Sequence, residues 1–174
     1  MRPIRLAVIF DQQIRAGGGY QQALNAAMLA LKLPAEICEP VFFTTLEENI
    51  NSLASFGIQA EPIQLSLLTK VGTYLRRTIT DARVLTLLKR IKRYSYFERR
   101  LVEREIDLVY FLGPSGWAYD LDETNYITTV WDLCHRDDPE FPEVRWNRQL
   151  EARDTNYCAL LPSATAIFVD SELG

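Results

Sequence analysis

The sequence predicts a doubly wound, mainly parallel α/β sheet with helices on both faces, and three observations predict it. Short apolar runs such as Arg5-Leu-Ala-Val-Ile-Phe10 are continuous rather than alternating, as a strand buried on both faces requires. Stretches with helical apolar spacing separate these runs, the pattern of strands joined by crossover helices. Glycine-bearing loops stand at the ends of two of the strands, at 17–19 and 113–116. In open parallel sheets, ligands sit at the carboxyl ends of strands, where strand order reverses.

The elements follow in order. The first strand ends near Phe10, Gly17-Gly18-Gly19 makes a loop, and Tyr20 to Leu33 places Ala23, Leu24, Ala27, Met28 and Leu31 at helical spacing until Pro34. Glu39 to Thr45 reads as the second strand, Leu46 to Phe56 as a short helix ended by Gly57, and Ala60 to Leu65 as the third strand. Leu67 to Arg104 is helical in character, and its early Thr and Gly residues divide it into two helices. Asp107 to Leu112 is the fourth strand and runs into Gly113-Pro-Ser-Gly-Trp117; Asn125 to Trp131 is the fifth. A helix from about Glu143 to Leu161 then turns Trp146, Leu150, Tyr157 and Leu160 inward, and Ala166 to Asp170 is the sixth strand. Together these make a Rossmann-like sheet.

A chain of 174 residues, 48% hydrophobic and 24% charged, has the composition of one globular domain. No apolar run reaches the roughly 18 to 20 residues that cross a bilayer, and Asp11 closes the first run before a signal-peptide core forms. The expectation is a cytoplasmic protein. Three cysteines, Cys38, Cys134 and Cys158, lack metal-ligand spacing and are odd in number, so neither a zinc site nor a disulfide framework is expected. The net charge of -4 argues against a nucleic-acid partner. Charge is nevertheless segregated: 10 Lys+Arg face 3 Asp+Glu between Arg76 and Arg104, against 4 and 14 from Glu105 onward. Within the basic part, Lys89 to Arg104 interleaves Ile91, Tyr94, Tyr96 and Phe97. It reads either as an amphipathic patch for an anionic membrane at the inner face of the plasma membrane, or as a solvated helix whose aromatic residues face the sheet.

Three strand-end loops hold the candidate chemistry. At Gly17, Gly18 and Gly19, unpaired helix N–H groups and the absence of side chains admit a phosphate or a sugar oxygen; a turn that needs only positive φ is the alternative. Gln22 stands in place of the third glycine of a dinucleotide fingerprint, the second strand ends without a ribose-binding acid, and no P-loop ending follows. Trp131-Asp132-Leu133-Cys134-His135-Arg136 holds the only histidine, able to donate or accept near neutral pH. Asp132 can accept from a sugar hydroxyl or orient the imidazole, and Arg136 is counted with the binding residues. A capped turn with a half-buried histidine is the alternative. Ser115 and Trp117 offer a hydroxyl and an aromatic platform, or else Trp117 is core packing.

Val130-Trp-Asp-Leu-Cys-His135, Pro139-Glu-Phe-Pro142, a Trp-bearing helix and Ala166-Ile-Phe-Val-Asp-Ser171-Glu172 together resemble the "hDl-x-H … P-x-x-F … vSe" progression of the group-1 (family 4) glycosyltransferases. The likeness runs over nearly the whole chain and is more specific in its second half; Asp170-Ser171 replaces the more usual Val-Ser or Thr-Ser. It implies the amino-terminal, acceptor-side half of a GT-B enzyme, similar to mannosyl- or rhamnosyltransferases of bacterial O-antigen and lipopolysaccharide synthesis. Also implied are retaining hexosyl transfer without metal or cofactor from a nucleotide-sugar such as GDP-mannose, a glycan or lipid-linked acceptor, and a carboxyl-terminal donor-binding domain absent here. Gly18, Gly19, Asp132 and His135 would line the cleft, with His135 bonding the transferred sugar or the reacting hydroxyl. The half-enzyme alone is expected to be inactive. A non-catalytic flavodoxin-like binding or regulatory domain is the competing expectation.

Overall fold

The computed structural model describes residues 2–13, 17–63, 94–131, 133 and 149–169. Six strands form one parallel sheet in the order β3-β2-β1-β4-β5-β6. They are β1 (Ile4–Phe10), β2 (Cys38–Thr44), β3 (Ala60–Pro62), β4 (Leu108–Phe111), β5 (Asn125–Val130) and β6 (Ala166–Val169). The helices described are α1 (Gly18–Ala30), α2 (Asn49–Ser55), α3 (Tyr96–Glu103) and α4 (Gln149–Leu160), with short 3₁₀ turns at Gly116–Asp120 and Leu161–Ser163. The predicted α/β class is the observed one. None of the described helices is long and apolar enough to cross a membrane.

Strand β1 shows why its run is continuously apolar. Leu6, Val8 and Phe10 point into a layer with Ala23, Leu24 and Ala27 of α1 and Leu53 of α2. Ala7 and Ile9 point the other way, into a layer with Phe97 and Leu101 of α3, Val109, Phe111, Tyr126 and Leu160. Alternate side chains feed opposite cores, so neither set is free to be polar. At roughly 1.5–3 kcal/mol for each large apolar side chain removed from water, these two layers supply the bulk of the driving force.

Helix α2 ends as Gly57 demands. With φ at 78°, Gly57 donates to the Ala54 carbonyl while Ile58 donates to Leu53, and Leu53 and Ile58 are both fully buried. This is a Schellman ending with its apolar contact. Helix α3 ends in the same pattern, Ile106 to Leu101, but Glu105 takes the left-handed position at φ 54°. Met28 is only partly buried, and Leu31 is exposed where α1 ends at Ala30, before the final turn the spacing predicts. Strand β6, apolar in sequence, is the outer strand and stays exposed.

The described part of the basic segment is tied to the fold. Phe97 and Leu101 of α3 are buried, Arg104 pairs with Glu61, Arg100 with Glu103, and Tyr94 donates to Glu123 at 2.8 Å. Residues 89–93 lie outside the described residues.

Glu98 joins α3 to the turn before β5. The Ser95 hydroxyl accepts from the Glu98 amide at 2.9 Å and donates to the Asp120 carbonyl at 2.7 Å. In a capping box the acid three residues after such a serine bonds back to the cap. Here the Glu98 carboxylate instead reaches across to accept from the amides of Asp122, Glu123 and Thr124 at 2.8–3.0 Å and from the Thr124 hydroxyl at 3.1 Å. Glu98→Ala would leave these donors without their acceptor in a buried place; urea denaturation should show a loss of about 2–4 kcal/mol. Glu98→Gln keeps one acceptor oxygen and should lose less.

Candidate functional site

The strand order reverses at β1, whose neighbours β2 and β4 lead to opposite halves of the sheet. Chains leaving the carboxyl ends of β1 and β4 therefore diverge and open a crevice between them. The glycine bend, the Gly113 loop and the end of β5 all reach this mouth.

The three consecutive glycines do three different things. Gly17 adopts φ 65° and ψ -126°, a conformation that side-chain-bearing residues avoid. Gly18 opens α1 with nothing among the described residues near the place a Cβ would occupy, and Gly17 has the same open space. Gly17, the N-cap residue, makes no side-chain cap bond to α1, and no acid stands in the first turn of the helix. Gly19 has no such space, since a Cβ there would stand 2.8 Å from the indole of Trp131.

Trp131 is the residue that closes the mouth. It continues β5, and its ring also lies where a Cβ on Gly113 would be, at 2.6 Å. One indole is thus wedged against backbone from the first turn of α1 and from the loop after β4. The Thr128 hydroxyl donates to the Gly113 carbonyl at 3.1 Å and fixes that loop from below. Gly113 and Gly19 are glycines for the same reason: the ring needs the volume.

Ser115 and Trp117 occupy different ground. Ser115 is buried, accepts from the Trp117 amide at 3.2 Å to start the 3₁₀ turn, and hydrogen-bonds to the carboxyl of Asp11. Trp117 packs on Phe97, ring centres 5.1 Å apart, in the α3 layer. Its indole therefore sits across the sheet from Trp131, which packs on the α1 layer, and the aromatic wall of the mouth is Trp131. Asp132, His135 and Arg136 lie outside the described residues, as do Cys134 and Trp146. Of the remaining cysteines, Cys38 is buried and Cys158 exposed, and no metal-ligand cluster occurs among the described residues.

Asp11 was not singled out as a site residue by the sequence. It follows directly on Phe10, and extending the Ile9–Phe111 register by two residues sets it beside Gly113. Gln12 donates to one of its oxygens at 3.1 Å. Burial pushes the Asp11 carboxyl above the ordinary aspartate range, although the bonds from Ser115 and Gln12 pull the other way. The Gln12 carbonyl in turn accepts from Asn49 at 2.8 Å, which anchors this loop to α2. No family model, curated protein or solved structure matches the chain.

Two predictions test this geometry. Gly113→Ala should destabilise by about 1–3 kcal/mol through overpacking, and Trp131→Phe in the same chain should recover part of that loss, because the smaller ring withdraws from the added methyl; denaturant midpoints of the two singles and the double provide the measurement. For Asp11, a folded-state pKa above the unfolded value of 3.8 means that the contribution to stability is greatest in acid and is lost as pH rises through the folded pKa. Asp11→Asn removes that dependence. Its stability relative to wild type should climb as pH increases from 3.8 and level off once wild-type Asp11 is ionised, as thermal melts across pH would record.

Proposed function

We propose that this chain is the acceptor-side domain of a retaining GT-B glycosyltransferase that moves a hexose from a nucleotide-sugar to a polysaccharide or lipid-linked glycan. The observation that carries the reading is the mouth at the strand-order reversal. Among the described residues nothing stands near the place of a Cβ at Gly17 or Gly18, the N-cap Gly17 makes no side-chain cap bond, and the Trp131 indole stands against Gly19 beside them. Sugars are recognised by close main-chain approach, by hydroxyl-accepting carboxylates and by C–H faces laid on aromatic rings, and the glycine bend, Asp11 at the end of β1 and the Trp131 indole support that reading. Protein of this kind contributes positioning and electrostatic stabilisation more than covalent chemistry. The resemblance at Val130 to His135 assigns Asp132 the role of fixing the loop and His135 that of bonding the transferred sugar or the reacting hydroxyl.

A binding domain without transfer chemistry is the second reading, favoured by the indole that already occupies the approach to Gly19. The two part company at Gly18. Gly18→Ala meets no neighbour among the described residues and replaces glycine within a helix, so it should fold at least as well as wild type, with a gain of up to about 1 kcal/mol. Its methyl nevertheless stands in the open space where the glycan would approach. Calorimetric titration with mannose- and rhamnose-containing oligosaccharides should show binding to the wild type and its loss in the variant. Equal binding by both, or none by either, overturns the proposal.

A further inference from the structure

Eleven large hydrophobic side chains are exposed among the described residues, and five of them share one corner at the amino edge of the sheet. These are Ile4, Leu29, Leu31, Leu33 and Ile37, each 39–64% exposed. Backbone bonds gather them: Leu33 donates to the Ala30 carbonyl, Ile37 to Pro34, and Ile4 to Ile37 at 2.9 Å. Ile4 alternates with Leu6 and Val8 and so lies on the α1 side of the sheet. Leu31, four residues past Ala27, carries the buried stripe of α1 out to the edge, where it meets water. Segments 2–10 and 18–44, which build this corner, are described without a break. The crossovers from β3 to β4 and from β5 to β6 place α3 and Leu160 in the opposite layer.

Single exposed aliphatic residues are ordinary, but five together approach the few hundred Å², roughly, at which an apolar patch marks a contact surface. Charge selects what the contact is with. An anionic membrane draws on a cluster of cations. Here Arg2 binds both oxygens of Asp107, and Arg5 pairs with Glu39 and Glu105. The turn after α1 carries one exposed charge of each sign, Lys32 and Glu36, on either side of Leu33 and Pro34. A two-fold axis through the patch sets Lys32 of each copy against Glu36 of the other, the self-complementarity that an isologous interface requires. A standard interface covers roughly 800 Å² per partner, with an apolar centre and a polar rim. Five aliphatic side chains ringed by paired charges have that composition.

We infer that this corner binds a second copy of the chain, forming a two-fold dimer with the five aliphatic side chains at its centre and two Lys32–Glu36 pairs at its rim. The corner is at the amino edge and the mouth at the carboxyl edge, so both mouths stay open in the dimer. The inference is independent of the carbohydrate reading.

Sedimentation velocity of the wild type across the micromolar range tests it. A monomer–dimer equilibrium is expected, with a Kd of roughly tens of micromolar for an interface of this size. Leu29→Lys with Ile37→Lys should keep the wild-type circular dichroism spectrum, since both side chains already meet water, and should be monomeric throughout. Lys32→Glu and Glu36→Lys should each weaken the dimer about tenfold, because the axis repeats each like-charge contact twice. Mixed in equal amounts, the two should associate as well as wild type, since every rim contact then joins opposite charges. That rescue separates a two-fold interface from general stickiness. A wild type that stays monomeric, a dimer that survives Leu29→Lys with Ile37→Lys, growth beyond two copies, or a mixture no better than its components overturns the inference. So does a monomer that binds phosphatidylglycerol vesicles through this corner and loses them in the double variant, which would make the occupant a lipid surface.

Discussion

Strand β1 is constrained on every side: hydrogen-bonded along one edge to β2 and along the other to β4, with alternate side chains packed into two separate cores. A strand so held has no freedom to shift register, because a slip of one residue would exchange the two buried sets. Its last residue, Phe10, is therefore fixed in space, and so is whatever the chain places next. Asp11 and the glycine bend inherit their positions from that constraint. The crevice is a consequence of topology, since the connections to β2 and β4's successor run apart from the same point.

Trp131 converts this crevice into a shaped site. Left empty, the gap between the start of α1 and the loop after β4 would be water-filled and imprecise. The indole spans it, touching backbone on both sides at positions without side chains. Because β5 is buried in the sheet and Thr128 also grips the Gly113 carbonyl, the ring's base is rigid. Among the described residues, what remains open lies over Gly17 and Gly18, the two glycines of the bend that the ring does not cover.

The strands were legible because burial on both faces leaves a one-dimensional trace, an unbroken apolar run, that needs no knowledge of partners. Their boundaries matched to within a residue or two for β1, β2, β4 and β5. The glycines were legible as a loop but not as three separate roles, since Gly19 is explained by a side chain more than a hundred positions away. Trp131 and Trp117 show the limit of the same kind of reading. Strand alternation through Ile127 and Thr129 assigns Trp131 a face, whereas Trp117 follows a loop, and nothing local says that it turns into the α3 layer. Asp11 was read only as the polar residue that stops the first run. The bonds that give it meaning come from Ser115, and such a pair is visible only once β1 and β4 are known to be neighbours.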